Sequence, residues 1–172
     1  MMNIFYLDSN PYRAAKWHGD KHVCKMLVET AQMLSIAHHV LSPEADNFNL
    51  YKPTHVRHPC SVWVRENACN YDWTWHLLNG LCLEFYIRRG KNHATSRLRV
   101  PLRVRPDFTD VSYKVQGHTP PALAMPDVFK CDDPVEAYRA YYRDKFRQGI
   151  VSYDWSSLRH QPEWLTHSQK SA

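Results

Sequence analysis

At 172 residues the chain is long enough for one domain with a real core. Its net charge of +5, with eleven histidines left neutral, and its pI near 9.0 favour an anionic partner, DNA first. The absence of any apolar run of membrane length, the charge at Asp8 and five cysteines without a CxxC pair argue against a membrane span, a signal peptide and a disulfide scaffold, and for a reduced, cytoplasmic protein.

Asn3 to Leu7 reads as a short strand or an extended lead-in. Asp8-Ser9-Asn10-Pro11 is a turn with a capping residue and a proline at the next helix's first position, and Tyr12 to His18 is a short helix or turn. Asp20 to His39 reads as one helix, with Asp20 as its N-cap. Val23, Met26, Leu27, Thr30, Met33, Leu34 and Ala37 share a face, which Cys24, Val28 and Ala31 widen. What remains is a thin polar stripe of His22, Lys25, Glu29 and Gln32. Such a stripe suits a mostly buried helix that opens one strip into a cleft, or a solvated edge with a Lys25–Glu29 pair.

Ser42 to Arg57 is a polar loop, and Lys52, His55, Arg57 and His58 make its end basic, fit for phosphate or for solvent. Pro59 opens a second long helix that runs to Arg89 and is closed by Gly90. Trp63, Tyr71, Leu78 and Phe85 are expected to pack on Val23, Leu27 and Leu34 of the first. Asn67 and Asn70 lie at the edge of that stripe, where each either bonds neighbouring backbone or reads a base edge. Lys91 to Arg105 carries Arg97, Arg99, Arg103 and Arg105, as a half-buried strand with a cationic face or a loop tracking a phosphate backbone. Asp107 to Asp133 is irregular and long enough to suggest a binding loop. Pro134 starts a last helix, capped by Asp133, in which tyrosines alternate with Arg139, Arg143 and other bases, as core or as a stacking surface. Trp155 and Trp164 are expected to dock back.

The expected architecture is all-α: a single helical domain over residues 1–166, with two long core helices, irregular basic loops and a disordered tail at 167–172. No histidine or cysteine spacing completes a zinc site, and no phosphate loop, dinucleotide fingerprint or nucleophile elbow occurs, so neither metal nor cofactor is expected. The chemically capable group that remains is Glu29 with His22 and Lys25, a carboxylate that can act as an acid/base beside cations that can hold phosphates.

On these residues the chain resembles the small phage pyrimidine-dimer DNA glycosylases, the phage endonuclease V family, as an outlying branch. The resemblance covers roughly residues 20–90. It rests on Asp20-Lys21-His22, where the family has an Asp-x-His pair, and on Glu29, seven residues beyond the histidine, where the family carries its catalytic glutamate. The second helix ending in a basic residue and Gly90, and His58-Pro59 with Trp63, extend it. It implies a helical fold that bends DNA, flips out a damaged or modified pyrimidine and acts at the glycosidic carbon, in a host cytoplasm if phage-encoded. Two positions depart from the family: Met2 stands where its nucleophilic threonine would be, and Val28 replaces the arginine before the glutamate. A transferase that displaces pyrophosphate from a modified hydroxymethyluracil base with an amino acid amine, and a non-catalytic DNA-binding protein, are the alternatives.

Overall fold

In the computed structural model, which describes residues 2–109 and 117–166, Met2 to Asp8 run extended and buried, a segment no helical pattern would place. Ile4 and Leu7 are fully enclosed. Asn3 Oδ1 accepts from the N–H groups of Ile4 and Phe5, which bends the segment and helps hold Phe5 in the left-handed region at φ 40°. Among the described residues no ladder partner pairs with it, so it is a threaded lead-in and not a strand of a sheet.

Asn10 then caps α1 (Pro11–Trp17), its side chain accepting from Tyr12 and Arg13 N–H. α2 (Asp20–Leu41) is the long helix the apolar spacing requires, with Val23, Leu27 and Leu34 fully buried. Its cap differs from expectation. Gly19 is the N-cap, and Asp20, at the first helical position, is buried. Asp20 Oδ1 accepts from Arg88 Nη1 at 3.0 Å, and Oδ2 accepts from the N–H groups of Asp154 and Trp155. That carboxylate therefore clamps three chain segments together. Gly19 is a close-approach position: an added Cβ would stand 2.4 Å from Val151 Cγ1 and 2.9 Å from Ser152 O.

The second long helix is broken. α3 (Pro59–Val64) ends where Arg65 and Glu66 N–H turn back to the Val62 and Trp63 carbonyls, and α4 (Ala68–Arg89) restarts with Asn67 as its cap. The apolar period runs through the break, because Trp63 and Tyr71 both reach the core, so periodicity alone hides it. Gly90 closes α4 at φ 65°, as expected. α4 packs on α2, where Tyr71 OH meets His38 Nε2 at 2.9 Å, and on α1 through Gly80, and it buries Leu78 and Phe85 in the core.

The stretch 91–105 is neither a strand nor a loose loop. Two short 3-10 turns, Ala94–Leu98 and Pro101–Arg103, put Leu98 and Leu102 into the core and leave the arginines outside. α5 (Pro134–Arg147) starts on its Asp133 cap and buries Tyr138 and Tyr142. Trp164 packs on Trp17 and Tyr142, and Arg89 lies over Trp155, so both tryptophans dock. The architecture is all-α, with no strand among the described residues. The tail 167–172 and residues 110–116 of the expected binding loop lie outside the described residues.

Candidate functional site

Glu29 sits one turn past the middle of the first half of α2, with its side chain 14 % exposed. Asn3 N–H donates to its Oε2 at 2.8 Å, and Lys25 Nζ stands 3.5 Å from Oε1. Burial pushes its carboxyl above the usual carboxylate range, against the opposing pull of Lys25 and of the Asn3 hydrogen bond. Asn3 also reaches outward: its Nδ2 donates to Ala124 O at 2.7 Å. Ala124 belongs to the wall of an apolar cavity of about 510 Å³ lined by His58, Pro59, Leu123, Met125, Pro126 and Tyr141. Asn3 thus links the carboxylate, through its backbone N–H, to the cavity wall, through its side chain.

The other members of the polar stripe have separate fates. His22 is not on an open strip but 6 % exposed. Tyr142 OH accepts from Gly19 N–H at 2.8 Å, which leaves its own proton for His22 Nδ1, 3.0 Å away. The imidazole stacks on Phe5 with centroids 5.0 Å apart. Burial, with the cations of Lys145 and Lys25, lowers its pKa to about 4, so it is neutral at physiological pH. Lys25 is solvent-facing. Gln32 donates to Lys52 O at 2.8 Å and ties the following loop to α2. Val28, expected on the apolar side, is 42 % exposed, because α2 meets no partner along the line of Lys21, Lys25 and Val28.

His55 and Arg57 are exposed on the loop before α3, while His58 is part of the cavity wall and caps α3 by accepting from Cys60 N–H through Nδ1. The cap leaves His58 less free to meet a phosphate than its sequence setting suggests. Asn67 and Asn70 are buried and serve the chain itself. Asn67 Oδ1 accepts from Asn70 N–H, and Asn70 Nδ2 donates to Trp63 O at 2.9 Å and to Thr119 Oγ1 at 2.7 Å. A base edge has no access to them.

The arginine cluster is divided. Arg97 donates to Asn49 O and lies over Tyr51, near the end of α2. Arg105 pairs with Asp72. Arg99 and Arg103 face the outer side of α4 instead. Arg139 and Arg143 are structural. Arg139 lies over the rings of both Trp17 and Trp164 and donates to Leu7 O at 3.0 Å, and Arg143 donates to Trp164 O. Both are half-buried, because α5 uses this face to hold the N-terminal thread and the C-terminal segment.

Residues that the sequence did not single out complete the site. Asn3 is the hydrogen-bond donor to Glu29, Tyr141 is a cavity wall, and Lys145 lies 4.6 Å over the Tyr141 ring and within 5.9 Å of the Phe5 ring. Tyr141 and Lys145 showed in the sequence only as part of the aromatic and basic alternation of α5, and Asn3 carried no signal; its bonds to Glu29 and Ala124 are a long-range product of folding. Cys60, also near Glu29, has its thiol pushed up to about 12 by burial, which leaves no thiolate nucleophile there. Among the described residues no group of three His, Cys, Asp or Glu side chains is placed to hold a metal ion, and no helix is long and apolar enough to cross a membrane.

Fold and site together define an all-helical protein with a half-buried carboxylate joined by its N-terminal thread to an apolar cavity. Compared with known protein families, curated proteins and solved structures, the chain has no match.

Proposed function

We propose that this protein is a DNA base-processing enzyme of glycosylase type, in which Glu29 serves as the acid/base for a pyrimidine turned out of the helix. The observation that carries the reading is the environment of Glu29. A carboxylate with a raised pKa, one lysine at 3.5 Å and, joined to it by Asn3, an apolar cavity is equipped to exchange a proton, or to stabilise a cationic sugar, next to a base resting on apolar walls. Lys25 and Lys145, with the exposed Lys52, Arg57 and Arg97, supply positive charge around that side of α2 for a phosphate backbone.

The test is base release. Duplex DNA carrying ultraviolet photoproducts, oxidised pyrimidines or hydroxymethylated pyrimidines is incubated with the protein, and liberated bases are measured by mass spectrometry. Release from one of these substrates, lost in Glu29→Gln while DNA binding is retained, supports the reading. Release from none of them, or release indifferent to Glu29→Gln, overturns it.

One observation favours the transferase alternative. Met2 is buried, and its sulfur accepts from Ser61 Oγ at 3.0 Å, so the second residue serves packing and not as a mobile amine nucleophile. In that reading Glu29 deprotonates an incoming amino acid amine, and a mass increase of the modified nucleoside, in place of base release, is the product.

A further inference from the structure

The outer face of α4, turned away from α2, carries a second constellation. Trp75 Nε1 donates to Arg99 O at 3.0 Å, which fixes the indole against the 3-10 turns. Asn79 Nδ2 donates to Tyr12 OH at 3.0 Å, and that hydroxyl meets His76 Nδ1 at 3.1 Å. Asn79 Oδ1 is left without a donor. Two depressions of about 320 and 340 Å³ adjoin here and share Asn79 and Arg99, the first bordered by Trp75 and Arg103 and the second by Leu83 and Tyr86.

Arg99 and Arg103 are exposed, and neither has a carboxylate partner among the described residues, unlike Arg105 with Asp72. Fold stability does not explain two uncompensated guanidiniums on one rim. Tyr86 at 52 % and Val100 at 79 % exposure border the same two depressions and leave apolar surface open to solvent. Guanidiniums and aromatic faces on one strip match two parts of a nucleotide, the phosphate and the base face.

We infer that this face binds a single-stranded segment of nucleic acid, with Arg99 and Arg103 on phosphates and Trp75 and Tyr86 available for stacking. The net charge of +5 favours that anionic occupant over a neutral peptide. The body of α4 separates this face from Glu29, so the contact is distinct from the base-processing site and is tested apart from it.

The experiment uses the full chain and a fluorescent single strand of about twelve nucleotides, within the footprint usual for such surfaces. The double variant Arg99→Ala/Arg103→Ala is expected to weaken binding at least tenfold and to reduce the log–log salt slope by about 1.4, at about 0.7 per phosphate contact on a single strand. Glu29→Gln should leave this affinity unchanged. In the wild-type protein, photocrosslinking with brominated uracil should map to the peptides holding Trp75 or Tyr86. Equal binding by the double variant, or crosslinks confined to other segments, would overturn the inference. So would an acidic peptide that binds as tightly as the strand and is weakened as much by the double variant.

Discussion

Glu29 accepts a backbone N–H and faces one lysine, so a glutamine in its place keeps the acceptor and loses only a charge that burial opposes. Glu29→Gln should therefore melt within about 2 °C of the wild type or above it, since functional charges in clefts are often held at a cost in stability. If the proposed chemistry holds, turnover falls by roughly two orders of magnitude or more, as for loss of a general base. Unfolding curves and single-turnover assays on the same preparation check both halves. A variant that unfolds readily yet keeps full activity per folded molecule would make Glu29 a structural partner of Asn3. Arg88 has the opposite character. Its side chain is fully buried, paired with Asp20 and Glu84, and it donates to the carbonyls of Lys16 and His18. Arg88→Met removes the counterion from a buried carboxylate and should cost about 3–5 kcal/mol, read from the denaturant midpoint.

At the scale of elements, Gly80 sets how closely α1 and α4 approach. A Cβ there would stand 2.8 Å from Ala15 Cβ and 3.3 Å from a Tyr12 ring carbon. Helix propensity alone would make Gly80→Ala stabilising by about 1 kcal/mol. The clash should reverse the sign, and thermal denaturation decides between the two. Asn67→Ala removes the α4 cap and should cost about 1 kcal/mol; an unchanged melting temperature would mean that α3 and α4 are effectively continuous. These two positions also mark where the sequence was legible. Apolar spacing placed α2, α5 and the α4 core residues Leu78 and Phe85 because a 3.6-residue period is a local property. The break at Asn67 stayed hidden because both sides keep the same apolar phase. Glu29 and Lys25 were visible as an i, i+4 pair in a narrow stripe. Asn3 was not, since its bonds to Glu29 and Ala124 depend on contacts across much of the chain length; Tyr141 and Lys145 showed only as part of the aromatic and basic face of α5. Arg139 and Arg143 misled for the same reason: a basic helix face looks solvated until the tryptophans that cover it are placed.

For the molecule as a whole, two buried histidines set the response to acid. Burial is the first cause in both, and it lowers His22 to about 4 and His18 to about 3. His22 also faces the cations Lys25 and Lys145, and His18 faces His22 and Arg88. In the unfolded chain each binds a proton near pH 6.5, so the native state binds fewer protons below that value. Their contribution to stability is complete above pH 6.5 and is lost as pH falls towards 4. Between pH 7 and pH 5 the loss is about 2 kcal/mol per histidine, which together lowers the melting temperature by roughly 10 °C for a chain of this size. Glu29, with its raised pKa, works in the opposite direction and blunts the effect. A melting temperature flat from pH 7 to pH 5 would contradict the neutral burial of both imidazoles. If DNA is the partner, duplex affinity should fall linearly in log–log form with salt, by about 0.9 per phosphate neutralised. Salt-independent binding would refute an electrostatic interface.

The buried N-terminal thread gives this chain an awkward order of assembly. Leu7 receives Arg139, 132 positions later, and Asn3 donates to Ala124, 121 positions later. On the ribosome these residues leave the exit tunnel long before their neighbours do, and closing so long a loop comes late for entropic reasons. Until α5 emerges, Ile4, Phe5 and Leu7 have only part of their cover. Synthesis stalled before Pro134 would leave this apolar segment in search of a substitute, which makes it the natural target of a chaperone.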